Sequence, residues 1–192
     1  MELSKILVAR SAALGFIKVV GRGSFQNSGC LKAFYQQLLK DGVHRFVVDL
    51  EACTYLDSTF LGILLGLGLK LKEGGNGLLH ILNASPRNLE LLRNLGLDRL
   101  INIDAAPVPL NGITEKTLEE MACPTPTRQE AAPTILEAHE ALMEFDPPQR
   151  PQVQGRRRIS AGRSRSNRRQ ELTATAQRPA ITLIDARRVL LI

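Results

Sequence analysis

Residues 55–71 read YLDSTFLGILLGLGLKL, and they set one carboxylate and two hydroxyls, Asp57, Ser58 and Thr59, between a strand-like run and an apolar helix. The spacing predicts a strand that stops at Leu56 and a helix from about Ser58 to Glu73, closed by the GGNG of residues 74–77. The first N–H groups of that helix have no partner within it. Asp57, Ser58 or Thr59 can each accept one such hydrogen bond, which stabilises a helix by ~1 kcal/mol. By itself the joint is a helix cap. The helix behind it is less ordinary, because Gly62, Gly66 and Gly68 each cost about 1 kcal/mol relative to alanine. Close approach of the helix to the sheet or to a partner chain accounts for three such residues. A hydroxyl at the mouth of this helix is also well placed to carry a phosphate, since orphan amides and the helix dipole favour negative charge there.

Working outward, KILVARS and LGFIKVVGRGSF read as two strands joined by a tight turn near residues 12–14. NSGCLKAFYQQLLKDG follows as a helix capped by Asn27 or Ser28, with Leu31, Phe34, Leu38 and Leu39 at helical spacing and Gly42 just past its end. HRFVVDL is a run of β-branched and aromatic residues with Phe46, Val47 and Val48 continuous, the mark of a strand in the middle of a sheet with helices on at least one face. LLHILNA is a second central strand. In SPRNLELLRNLGLDRL, Ser85 caps a helix with Pro86 in its first turn, Leu89, Leu92 and Leu95 form the buried stripe, and Gly96 ends it. LINI supplies a last strand. Residues 5–104 thus read β-β-α-β-α-β-α-β, a layered α/β domain with parallel neighbours and right-handed crossovers. Residues 105–113 are a Pro-rich linker. Residues 114–146 form an acidic helical extension capped at Thr114 or Thr127. Its stripe of Ile135, Leu136, His139, Leu142 and Met143 is broken early by Pro133. This amphipathic helix is either packed on the domain or offered to a partner.

Charge divides the chain. Residues 1–148 hold 14 Lys or Arg against 17 Asp or Glu, whereas residues 149–192 hold 11 against 2. The whole net charge of +6 comes from the tail, so the front of the molecule is not a nucleic-acid surface. RRRISAGRSRSNRRQ, within residues 147–192, reads as disordered; attraction to nucleic acid is its sharper alternative, and RRRIS also resembles a basophilic kinase target at Ser160. The abrupt change near residues 146–150 raises a further reading, that the tail is out of frame: PQVQGRRRISAGRS can be encoded so that the next frame spells PRFKDVVEFLRED, an amphipathic helix. Cys30, Cys53 and Cys123 form no spaced pair and read as buried or incidental thiols, which favours a reducing compartment. No secretion signal opens the chain, and the longest apolar run, residues 60–69, falls short of the roughly 20 residues that span a bilayer. A cytoplasmic protein without membrane insertion is expected. Gly21 and Gly23 in GRGSF make a turn rather than a nucleotide loop. His44, His80 and His139 are scattered, with His44 opening a strand and His80 inside one, and no metal or nucleophile arrangement emerges. Enzymatic activity, cofactors and metals are not expected.

The ordered set made of the strand ending in Asp49–Leu50, the YLDST joint followed by Leu61–Gly62, the GGNG turn and NASPRNLELLRNLGLDRL resembles the STAS domain of bacterial anti-sigma-factor antagonists over residues 5–104. The resemblance implies a mixed central sheet with helices packed against it, and a switch. In that family the serine directly after the aspartate is phosphorylated by an anti-sigma factor that is itself a serine kinase. A PP2C-type phosphatase reverses the modification, and the dephosphorylated form binds the anti-sigma factor and frees the sigma factor. Carried over, Ser58 is the phosphoacceptor with Thr59 as secondary position, and the partner contacts are Asp57, Phe60, Leu61, Asn83 and Ser85. The family pattern D-S-[ST]-G-[LIV]-G has Phe60 in place of its first glycine here, a ring that alters kinase access or serves as an apolar contact. The alternatives are a STAS domain that has lost phosphorylation and acts as a scaffold or as a cytoplasmic subunit of a larger assembly such as a transport system, and a nucleic-acid-associated protein led by the tail.

Overall fold

A hairpin and three crossovers build the sheet. In the computed structural model, which describes residues 4–103, 109–110 and 112–145, strand β1 (Lys5–Arg10) turns back antiparallel on β2 (Gly15–Gly23). Helix α1 (Phe25–Lys40) then crosses to β3 (Arg45–Asp49), parallel to β2. A short strand, β4 (Cys53–Leu56), pairs with the far end of β2 and leads into α2 (Ser58–Glu73). From there the chain runs through β5 (Leu78–Leu82), α3 (Pro86–Asn94) and β6 (Asn102–Ile103), with β5 parallel to β3 and β6 parallel to β5. After residue 112 come β7 (Glu119–Glu120), antiparallel to β1, and α4 (Arg128–Glu144). The sheet order is β6-β5-β3-β2-β1-β7, with β4 paired to β2 off that path. The fold is the mixed α/β architecture expected, with one strand, β4, that the sequence reading ran into the joint.

Pleating sorts the side chains. Ile17, Val19, Phe46, Val48, Leu79 and Ile81 face the main core with Leu31, Tyr35 and Leu38 of α1 and Phe60, Leu64, Leu65 and Leu67 of α2. Phe16 and Val47 point the other way, into a smaller core closed by Ala9, Leu14 and Ile113, with Leu110 and Leu118 packed against it. The second face of the sheet is therefore covered by the chain that follows the domain. This is why Phe46, Val47 and Val48 are apolar without a break: β3 is central and both of its faces are covered there.

Three local expectations need correction. Helix α1 begins at Phe25 with Ser24 as cap, not at Asn27 or Ser28, because the Ser24 amide donates to Asn27 Oδ1 at 2.9 Å and Asn27 already lies in the first turn. The extension from residue 114 is helical only in its second half; residues 115–117 make one 3₁₀ turn and Glu119–Glu120 an edge strand. Helix α4 is capped by Thr127, whose Oγ1 accepts from the Glu130 amide at 3.3 Å, and it continues through Pro133 without breaking. Most of the linker and all of the tail, residues 147–192, lie outside the described residues, as does the question of its frame. Among the described residues no helix is long and apolar enough to cross a membrane.

His80 on β5 has its Nδ1 buried with no hydrogen-bond partner among the described residues. Burial, and then the nearby Arg45 guanidinium, hold its proton affinity below the ordinary value of 6.5. The folded chain binds this proton more weakly than the unfolded chain does. Its contribution is therefore neutral above the ordinary value, and stability is lost as pH falls through that value. Urea denaturation at pH 7.5 and at pH 5 is expected to show the decline, and His80→Gln to make it shallower.

Candidate functional site

Three chain segments meet at the C-terminal end of β4. Gly23 pairs with Leu56, and the Asp57 amide donates to the Gly23 carbonyl at 3.0 Å, so the joint leaves the sheet beside the start of α1. The two carboxylate oxygens of Asp57 then divide their work. Oδ1 accepts from the Phe60 amide at 2.8 Å and caps α2; Oδ2 accepts from the Phe25 amide at 2.9 Å and caps α1. One side chain thus satisfies orphan donors of two helices. Asp57, expected as a partner contact, is half-buried and already committed to backbone donors on both oxygens.

Ser58 opens α2 and its side chain is exposed. Its Oγ lies 2.9 Å from Nε2 of His139 on α4, 81 residues further along the chain. The hydroxyl donates when Nε2 is unprotonated and accepts when Nε2 carries hydrogen. Gly62, one turn into α2, is where α4 crosses: a Cβ there would lie 2.7 Å from Ala138 Cβ and would run into the Ala138 carbonyl. Lys32 of α1 pairs with Glu137 of α4 beside that crossing. The close approach inferred from the glycines is real, and what approaches is α4. Gly68 meets Leu100 in the same way, whereas Gly66 has open room up to the Tyr35 hydroxyl.

The other expected site residues separate by burial. Thr59 is 4% exposed, Leu61 3% and Phe60 0%. Phe60, expected as an apolar contact beside the acceptor, instead fills the core under Gly23, where an added Cβ would sit 3.0 Å from its ring. A ring at that depth offers nothing to a docking protein, and neither Thr59 nor Leu61 has surface to give. Asn83 is exposed and takes φ 56°, a left-handed conformation that asparagine tolerates. Its Nδ2 donates to Asp49 Oδ1 at 2.9 Å. Lys18 braces the same carboxylate from 3.4 Å, and the pairing raises its affinity for its proton despite the desolvation that opposes it. Ser85 Oγ accepts from the Asn88 amide at 3.3 Å and caps α3.

Two features had no signal in the sequence. His139 reached Ser58 through a helix whose docking spacing alone does not reveal. Tyr55 on β4 is flanked by Arg22, 4.6 Å from its ring centre, and Arg87 at 5.5 Å, which gives the joint a cationic border. Cys30 lies 4.0 Å from the Ala122 carbonyl and neighbours Cys123, whose thiol is pushed up to about 12 by burial and by the adjoining Cys30 sulfur. All three cysteines are free. Among the described residues no group of His, Cys, Asp or Glu is arranged to hold a metal ion.

Asp57→Ala removes the side-chain acceptor of two helices and is expected to lower unfolding free energy by about 2 kcal/mol, at ~1 kcal/mol for each cap, read as a reduced urea midpoint. Phe60→Ala is expected to cost about 3–5 kcal/mol in the same measurement; a midpoint within error of the parent would return the ring to the surface.

Residues 6–102 match the family model described as Mlab, STAS domain. Comparison with curated protein sequences finds no match. Among solved structures, the chain is similar to the anti-sigma factor antagonist SpoIIAA in its unphosphorylated form, at 18% identity and TM-score 0.47, covering 58% of this chain and 90% of that one. It is also similar to an anti-sigma factor antagonist from Mycobacterium paratuberculosis, at 21% identity and TM-score 0.48, covering 54% and 87%. The phosphorylated form of the Bacillus SpoIIAA aligns at 18% identity and TM-score 0.44, covering 58% and 93%. With half of its length matched by the model and the expected sheet and helices in place, the chain belongs to the STAS domain family.

Proposed function

We propose that the chain is an anti-sigma-factor antagonist, a non-enzymatic cytoplasmic switch that sequesters an anti-sigma factor with serine kinase activity while the Ser58 hydroxyl is free. The kinase phosphorylates Ser58, and a PP2C-type phosphatase resets it. The observation that carries this reading is the exposed Ser58 side chain on the first residue of α2, beside a carboxylate committed to the backbone. Thr59, at 4% exposure, has no room for a phosphoryl group without local opening.

The switch is electrostatic. A phosphate adds about −1.5 to −2 charges at the positive end of the α2 dipole, which favours negative charge, so the fold tolerates it. An interface that covers the same spot must dehydrate that charge next to Asp57. An uncompensated buried charge costs about 3–5 kcal/mol, which is roughly two to three and a half powers of ten in Kd. A second reading, a STAS scaffold or a subunit of a transport or signalling complex that is never phosphorylated, is favoured by His139 already holding the hydroxyl and by Phe60 in place of the family's glycine.

Site mapping by mass spectrometry on the protein purified from its own host is expected to find phosphate on Ser58. In a pull-down with the cognate anti-sigma factor, Ser58→Ala is expected to bind like the unmodified chain. Ser58→Asp should bind about a hundredfold more weakly, from the cost of dehydrating its charge, with an unchanged melting temperature. Equal binding by phosphorylated and unmodified protein overturns the switch.

A further inference from the structure

The three cysteines divide by surroundings. Cys53 behaves as a packing residue: it is 4% exposed in the main core, and burial pushes its thiol up. Cys30 and Cys123 are only half-buried, so solvent reaches both residues. Cys30 sits on the second turn of α1, and its Sγ lies 4.0 Å from the carbonyl of Ala122, 92 residues further along the chain. Cys123, the next residue, has its side chain against the Cys30 sulfur. The flanks of this stretch hold it there: the Met121 amide donates to the Ile6 carbonyl at 2.9 Å, and Thr127 caps α4. Between them, Pro124 and Pro126 have no N–H with which to tie the stretch to a neighbour. Two thiols thus meet, half open to solvent, where the chain between β7 and α4 passes α1.

We propose that Cys30 and Cys123 are a reversible modification site, at which a peroxide converts two thiols into a disulfide that staples the stretch between β7 and α4 to α1. The site does not depend on the reading of Ser58. Burial, and then the hydrogen bond and charge of the adjoining Cys30 sulfur, keep the proton on Cys123, so attack falls to the thiolate of Cys30. Its sulfur takes one oxygen of the peroxide as the O–O bond breaks. Hydroxide leaves, and Cys30 is left as a sulfenic acid. That step also removes the negative charge that held the Cys123 proton. The Cys123 sulfur then attacks the Cys30 sulfur and the S–O bond breaks. The oxygen departs as water with the proton that Cys123 gives up, so two electrons have passed from the thiols to the peroxide. A small-molecule dithiol reverses the change by exchange. The closed loop takes in all of α2, which restricts the unfolded chain and favours the folded one.

The full chain is reduced, freed of reductant, treated with hydrogen peroxide and mapped by mass spectrometry without further reduction. The expected result is an intact mass lower by two hydrogens, a linked pair of peptides carrying Cys30 and Cys123, and an unmodified Cys53. The melting temperature is expected to rise by roughly 5–10 °C, and dithiothreitol to return it to its starting value. Cys123→Ser leaves Cys30 without a resolving thiol, and dimedone is expected to trap the sulfenic acid on Cys30 in that variant; no adduct there overturns the order of attack. Separately oxidised thiols with no linked peptide overturn the site. So does a link that joins two chains or involves Cys53. A bond that forms but leaves the melting temperature unchanged or lower overturns the staple.

Discussion

The carboxylate of Asp57 is the fastening on which the functional end of the molecule depends. With one oxygen on the Phe60 amide and the other on the Phe25 amide, it ties the beginnings of α2 and α1 to the end of β4. Two helix N-termini converge on a single negative charge, which each dipole favours. Ser58 inherits its position from this arrangement. Because its neighbour is fixed from two directions, the hydroxyl is presented at a defined point on a rigid element, not on a wandering loop.

The architecture was legible because its elements are strongly patterned. HRFVVDL, with Phe46, Val47 and Val48 continuous, and LLHILNA are rich in large apolar residues and pair as parallel central strands, and Ser85–Pro86 starts α3 where the capping chemistry requires. The limits of α2 follow from Asp57 and the GGNG turn. What could not be read was tertiary. The strand expected to stop at Leu56 is there, but that residues 53–56 form a strand of their own, paired with the far end of β2, has no local signal. Phe60 beside a hydroxyl pair suggests surface in a linear reading, whereas the turn of the helix carries it inward under Gly23. Ser24 captures the cap of α1 from Asn27 through a reciprocal bond that lies one residue before the helical pattern starts.

The same limit applies to the site. Ser58 is identifiable from its place after Asp57, and its exposure agrees with that reading. His139 is not, because nothing in the amphipathic pattern of residues 128–144 says which helix they cover. The glycines of α2 came nearest to a signal: they announced a close neighbour without naming it, and the neighbour proved to be a segment of the same chain.

The outer strands have their own consequence. β6 and β7 are two residues long each, and β7 is a pair of glutamates with Lys5 clasped to one of them. Borders this brief, the β7 one also charged, give an incoming backbone almost no ladder to extend, which guards against edge-to-edge self-association. At these two borders they also leave little backbone for β-augmentation, the mode of recognition in which a partner strand extends the sheet.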